Sequence, residues 1–194
     1  MTTTTRNTLA CSVLALAASL AATQASAQAF VGGSFGQSDI DEEITTALID
    51  SGTVDAKDTG WKIFGGYMFN RHFGVEAAYL NLGEVSYSGT FGGLPVTGGK
   101  VELTGFNIAA LGSYPLSEQF SVFGKLGLFI WDAEASDTTG GAPFSATADG
   151  TDLSFGVGVN YNFTRNLGLR AEWEMFKTDE ADATLLSIGA VWRF

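Results

Sequence analysis

From Phe30 onward, hydrophobic and polar residues alternate with a period of two, which is the pattern of β-strands. The alternating segments are roughly 9 to 12 residues long, the length with which tilted strands cross a lipid bilayer. We predict eight strands, at about 29–38, 59–70, 72–82, 101–114, 120–132, 152–163, 166–176 and 184–194. After residue 27 no apolar run reaches the length of a membrane-spanning helix, so only strands could cross a membrane.

The connections between the predicted strands alternate between short and long. The short ones are 70–71, 115–119 and 164–165, and the long ones are about 39–58, 83–100, 133–151 and 177–183. Outer-membrane barrels have this arrangement, with short turns at the periplasmic end and long loops at the cell surface. The sequence therefore predicts an all-β fold for residues 28–194, an eight-stranded antiparallel up-and-down transmembrane β-barrel.

Each predicted strand has one apolar face and one face of small, polar or charged residues. In water the apolar face would be an unusually large exposed hydrophobic patch, whereas its contact with lipid carries no free-energy penalty. The polar face must then enclose the lumen, where charges have to pair because an unpaired buried charge costs several kcal/mol. The charges that fall on this face, and that we expect to form a network, are Lys62, Glu76, Lys125, Arg170, Glu172, Glu174 and Arg193.

Aromatic residues depart from this alternation at one strand and mark the ends of the others. Phe123, Phe129 and Trp131 fall on the polar face of the segment 120–132, which indicates either a β-bulge or a partly apolar interior. Near the strand ends, aromatic residues would anchor a barrel at both membrane interfaces. The predicted aromatic belts contain Trp61, Phe69, Phe73, Tyr79, Tyr114, Phe120, Phe163 and Trp173.

Residues 1–27 have the features of a cleaved signal peptide. Arg6 precedes an apolar run over 9–22, and a small-residue cleavage site follows at 25–27. A buried N-terminal helix is the alternative, which the same pattern disfavours. The one cysteine, Cys11, lies in this segment, so we expect residues 28–194 to fold without a disulfide.

The chain is acidic, with a formal net charge of −11, which argues against nucleic acid as a partner. Acidic residues gather in or beside two predicted loops, at Asp39, Asp41, Glu42, Glu43, Asp50, Asp55, Asp58, Asp132, Glu134, Asp137, Asp149 and Asp152. Such loops could hold Ca²⁺ or bridge lipopolysaccharide phosphates through divalent ions. A solvated surface is the favoured interpretation because no fixed ligand spacing is visible, and we predict no metal and no cofactor.

Three stretches resemble small outer-membrane barrels. The stretch FGVGVNYNFTRNLGLRAEWEM (155–175) is similar to the sixth and seventh strands of the outer-membrane protein A transmembrane domain, and GSYPLSEQFSVFGKLGLFIW (112–131) resembles its fourth and fifth strands. The stretch HFGVEAAYLNLG (72–83) resembles the third strand across the wider family, which includes the opacity-type surface proteins.

The resemblance implies a location in the outer membrane of a Gram-negative bacterium, with lipid, lipopolysaccharide and the outer-membrane assembly machinery as partners. In outer-membrane protein A, paired lumen charges plug or gate the pore, and by this match Arg170 and Lys125 take basic lumen positions. Asn160 stands where the family member carries a glutamate, so Glu76, Glu172 or Glu174 would have to pair with Arg170. Trp192 and Phe194 resemble the terminal signal that the assembly machinery recognises.

We expect a structural surface barrel that stabilises the envelope and presents its loops to host cells or phage. A small gated channel is the alternative, although inward Phe64, Phe129 and Trp131 argue against a wide aqueous path. A lipid A-modifying enzyme is less favoured. The only histidine, His72, lies in a predicted periplasmic turn, whereas a surface-facing lipid hydrolase would need it at the opposite rim. We therefore predict no enzymatic activity.

Overall fold

The computed structural model describes residues 28–40, 51–55, 57–91, 94–139, 142–177 and 182–194. The predicted signal peptide, 1–27, lies outside these residues. The strands are β1 (Gln28–Ile40), β2 (Ser51–Asp55), β3 (Lys57–Met68), β4 (Phe73–Phe91), β5 (Leu94–Pro115), β6 (Phe120–Thr139), β7 (Ala142–Asn162), β8 (Leu167–Phe176) and β9 (Ala183–Arg193). The described part of the chain has no helix long and apolar enough to cross a membrane.

Eight of these strands form a closed antiparallel ring. The hydrogen-bonded order runs β1, β3, β4, β5, β6, β7, β8 and β9, and β9 returns to pair with β1. At the closing seam, Phe35 of β1 is in register with Trp61 of β3 on one side and with Ile188 of β9 on the other. The short strand β2 pairs with the outer part of β4. The predicted eight-stranded antiparallel barrel is confirmed.

The strands extend further than the sequence predicts. The predicted loops 83–100 and 133–151 are wrong, because β4 continues to Phe91, β5 begins at Leu94, β6 continues to Thr139 and β7 begins at Ala142. Beyond the lipid both faces of a strand meet water, so the apolar alternation that reveals a strand is lost while backbone pairing continues. The register shifts between Asn81 and Glu84, where Gly83 has a φ of 84° that favours glycine.

The short turns, at the end of the barrel opposite the extended strands, share one hydrogen-bonding pattern. In each, a side-chain oxygen at the start of the turn accepts a hydrogen bond from the backbone N–H three residues later, which replaces a missing ladder bond. The pairs are Asn70 with Phe73 at 2.9 Å, Ser117 with Phe120 at 3.0 Å and Thr164 with Leu167 at 2.9 Å. Turns fixed in this way hold neighbouring strands in register at this end of the barrel.

Side-chain burial follows the predicted parity. Large apolar residues on the outer face remain exposed, among them Val31, Phe106, Ile108, Leu126, Leu128, Leu153, Val157, Leu186 and Ile188. The opposite face is buried and carries both charged and apolar side chains, including Lys62, Glu76, Phe129 and Arg170. An apolar exterior around a partly charged interior is the reverse of a water-soluble barrel and fits lipid as the outer solvent.

A charge placed on the outer face should therefore lower the free energy of unfolding at mid-barrel and change it little beyond the apolar band. We expect Ile108→Arg, at a side chain 58% exposed on the outer face, to lower the free energy of unfolding by about 2–4 kcal/mol. Thr147→Arg, on the same face beyond the apolar band, should cost about 0–1 kcal/mol. Urea unfolding in lipid vesicles measures both; equal costs would contradict the assignment of the outer face to lipid.

Candidate functional site

Six charged side chains meet in the middle of the lumen. Lys62 comes from β3, Glu76 from β4 and Lys125 from β6, and β8 contributes Arg170, Glu172 and Glu174 at alternate positions. Alternate residues of a strand point to the same face, so the sequence of β8 alone places three charges in one line along the lumen. All six residues are at most 6% exposed.

The six charges form one continuous network of ion pairs. Lys62 Nζ lies 2.6 Å from Glu172 and also contacts Glu174. Lys125 Nζ lies 2.9 Å from Glu76 and 2.5 Å from Glu174, and also contacts Glu172. Arg170 Nη1 lies 2.5 Å from Glu76. Three cations thus face three carboxylates, and the network is formally neutral, as burial away from water requires.

Glycines provide the space for this network. Gly156 is in register with both Lys125 and Glu174, and a Cβ there would lie 3.0 Å from Glu174 Cγ and 3.4 Å from Lys125 Cε. A Cβ at Gly158 would lie 2.5 Å from the ring of Phe123. An eight-stranded barrel is only wide enough for its side chains to fill, so long side chains on one strand require small residues opposite.

Below the network, aromatic rings surround Arg170. Its guanidinium carbon lies 4.5 Å from the ring centre of Phe123, 4.6 Å from that of Phe64 and 5.5 Å from that of Phe30. Its Nε donates to Asn160 Oδ1 at 3.1 Å. Ring faces carry negative potential and attract a desolvated cation. The cage is not predicted by the sequence pattern, although Phe64 and Phe123 fall on the polar face of their strands.

Above the network, towards the extended strands, the lumen becomes apolar. Phe129 and Phe176 lie with ring centres 4.7 Å apart, and Leu80, Leu82 and Leu185 beside them are fully buried. β6 pairs with β7 in unbroken register along its length. Of the two explanations left open for the inward aromatics of β6, the partly apolar interior is therefore correct and the bulge is not.

Arg193 forms no ion pair with the six charged residues of the network. Its Nη1 donates to Asn162 Oδ1 at the short-turn end of the lumen, and the described residues contain no carboxylate in an ion pair with it. Arg170, one of the six members of the network, lines the same cavity as Arg193 at this end of the barrel.

The remaining predicted site residues lie near the ends of the barrel. Those exposed beside the short turns are Phe69, Phe73, Tyr114, Phe163 and Phe194, and Phe120 there is partly buried. Towards the other end, the ring centres of Trp61 and Tyr79 are 5.9 Å apart, and Trp173 packs on Phe155. Trp192 is exposed on β9.

His72 and the loop acids do not form a recognisable reactive centre in the part described. His72 Nδ1 lies 3.1 Å from the carbonyl oxygen of Ser113, and its ring lies beside Tyr114. Of the predicted loop acids, Asp41, Glu42, Glu43 and Asp50 lie outside the described residues. Within those residues, no group of three or more histidine, cysteine or acidic side chains could hold a metal ion.

A closed eight-stranded barrel with an apolar exterior and a charged lumen is a transmembrane β-barrel of the outer membrane. The model of the outer membrane protein beta-barrel domain family matches residues 8–194. The chain therefore belongs to that family and is located in the outer membrane of a Gram-negative bacterium, as predicted.

The similarities to individual proteins agree with this membership. Outer membrane protein A of Yersinia pseudotuberculosis is 28% identical over 176 residues, which cover 85% of this chain and 48% of that protein. The chain thus spans about half the length of the curated relatives it matches. The fold is similar to that of Ail, the attachment invasion locus protein of Yersinia pestis, with a TM-score of 0.60 at 20% identity over 88% of this chain and 100% of Ail. A structure of Ail with the heparin analogue sucrose octasulfate gives a TM-score of 0.59 at 19% identity, with the same shares covered.

Removing one carboxylate from the network should be strongly destabilising. Glu76→Gln leaves Lys125 and Arg170 with too few negative partners in a buried site, and we expect a loss of about 3–5 kcal/mol in the free energy of unfolding. Glu118→Gln, which removes the same charge from an exposed turn, should change it by less than about 0.5 kcal/mol. Urea unfolding in vesicles separates the two; a cost as small for Glu76→Gln would show that the network is not required for stability.

Proposed function

We propose that this protein is a closed structural barrel that stabilises the outer membrane and presents its outer end at the cell surface. The observation that carries this proposal is the layered lumen. A neutral ion-pair network fills the middle, and a packed layer around Phe129 and Phe176 lies above it. An ion crossing the barrel would have to lose its hydration shell at the apolar layer and displace paired charges at the network, and both steps are unfavourable.

A gated channel is the competing function, and planar bilayer recording tests it directly. We expect no reproducible conductance steps from the folded protein, with incorporation verified by heat-modifiable migration on gels. Reproducible steps whose size changes in Arg170→Ala, but not in Arg165→Ala in an exposed turn outside the lumen cavity, would overturn the closed barrel. That outcome would show that the network rearranges to open a path.

The outer end of the barrel carries an acidic surface, whereas anion-binding proteins commonly present a basic one. Glu102 of β5 is in register with Glu84 of β4 and with Glu134 of β6, while Glu84 pairs with Lys100 at 2.7 Å and Glu102 accepts a hydrogen bond from Asn81. Even with Lys100 paired to Glu84, three carboxylates on neighbouring strands leave this surface acidic. We infer that this acidic rim contacts cationic groups at the cell surface.

The fold of Ail has been seen with a polysulfated heparin analogue, but the acidic rim of this chain disfavours such a ligand. On intact cells, where a probe reaches only the outer end, we expect no saturable binding of fluorescent heparin at physiological salt. The double variant Glu102→Lys/Glu134→Lys reverses two rim charges and should bind it. Saturable binding by the unmodified protein, no weaker than by the variant, would contradict an acidic binding surface.

A further inference from the structure

The periplasmic end of the lumen contains a cavity that shares only Arg170 with the ion-pair network. It lies within the ring of short turns and has a volume of about 640 Å³, within the range of small-molecule sites. Its inner end is formed by Phe30, Phe123 and Arg170, and Arg193 and Arg71 lie along its wall and mouth. The cavity thus begins where the aromatic cage of Arg170 ends.

The charges that line this cavity are predominantly positive. Arg71, Arg170 and Arg193 contribute three guanidinium groups, and Glu118 is the one carboxylate among its described lining residues. Arg170 is neutralised by Glu76, whereas no described carboxylate forms an ion pair with Arg71 or Arg193. A cavity with two uncompensated arginines stands out in a chain whose formal net charge is −11.

Two asparagines in the cavity position its arginines. Asn162 Oδ1 accepts from Arg193 Nη1, and Asn160 Oδ1 accepts from Arg170 Nε. Each asparagine oxygen thus holds an arginine, and each NH₂ group is left to donate. Guanidinium groups have no acceptor at all. With three guanidinium groups against Glu118 as the one charged acceptor among the lining residues described, the cavity favours a ligand rich in acceptors and negative charge.

We propose that this cavity is a binding site for an anionic group, a phosphate or a carboxylate, carried by a periplasmic molecule that enters from the short-turn end. Arg193 is the principal ligand, because Asn162 orients its guanidinium and a planar fork of donors matches both kinds of anion. Arg71 adds positive charge at the mouth, and the rings of Phe30 and Phe123 exclude water from the inner end. The site is independent of whether the barrel conducts.

Binding of inorganic phosphate and of succinate to the folded protein in a nonionic detergent tests the proposal. Isothermal titration should show one saturable site, with an affinity that falls as salt increases. Asn162→Asp keeps the side-chain size but places a carboxylate against Arg193, and we expect it to weaken binding by about tenfold or more. Lys100→Gln changes the net charge by the same amount at the opposite rim, where Lys100 lies 2.7 Å from Glu84, and should leave binding unchanged.

The two probes separate the chemical sources of the anion, and two further variants keep the test decisive. Tighter binding of phosphate supports a phosphate-bearing molecule, and tighter binding of succinate supports a carboxylate-bearing one. Arg193→Gln should weaken binding of the preferred probe by about tenfold or more. Arg71→Gln, in an exposed turn that tolerates change, should weaken that binding by a smaller factor. No saturable binding of either probe, or equal losses in Asn162→Asp and Lys100→Gln, would overturn the proposal.

Discussion

The structure depends on one constraint: inside a bilayer no water is available to the backbone, so every N–H and C=O group must be paired within the protein. The pairing of β9 with β1 meets this requirement because it leaves the ring of strands without an edge. Closing the ring with eight strands also fixes the width of the lumen at about that of the side chains that fill it. The glycines opposite long side chains, such as Gly156 opposite Glu174, are therefore a consequence of closure.

A lumen this narrow leaves little room for water, and that governs which charges it can hold. Each cation needs a carboxylate within contact distance, and the contacts of Lys125 with Glu76, Glu172 and Glu174 show how one group satisfies several partners. Replacing such a network by apolar residues is often neutral or stabilising in proteins, so ion pairs alone are a weak explanation for retaining it. The charges could instead hold the strands in a single arrangement, because each pair joins strands that are not neighbours in the ring, as Lys62 of β3 and Glu172 of β8 do.

The sequence predicts the fold and the contents of the lumen because the two faces of each strand meet different surroundings. Beyond the lipid, both faces of a strand meet water and the two faces no longer differ in hydrophobicity. The pattern therefore predicts loops where β4 continues to Phe91 and β6 to Thr139. Which lumen charges pair could not be predicted, since the pairs depend on strand tilt and stagger that periodicity does not contain. Arg193 has the same parity as Arg170, yet it lies too near the periplasmic end to reach a carboxylate of the network and bonds to Asn162 instead. Asn160, which departs from the family pattern, fits here as an acceptor for Arg170.

The sign of the charge changes along the barrel, so its two ends present surfaces of opposite charge. The outer rim is acidic around Glu102, the middle is neutral, and the periplasmic cavity is basic around Arg193. At physiological ionic strength a charge is screened over about 8 Å, whereas a strand rises roughly 3.3 Å per residue, so the 12 residues of β3 alone exceed that distance several times. A ligand at one end therefore meets only the charge of that end. In the closed barrel that we propose, the apolar layer around Phe129 would complete the separation, because an ion passing between the rim and the cavity would have to lose its hydration shell there.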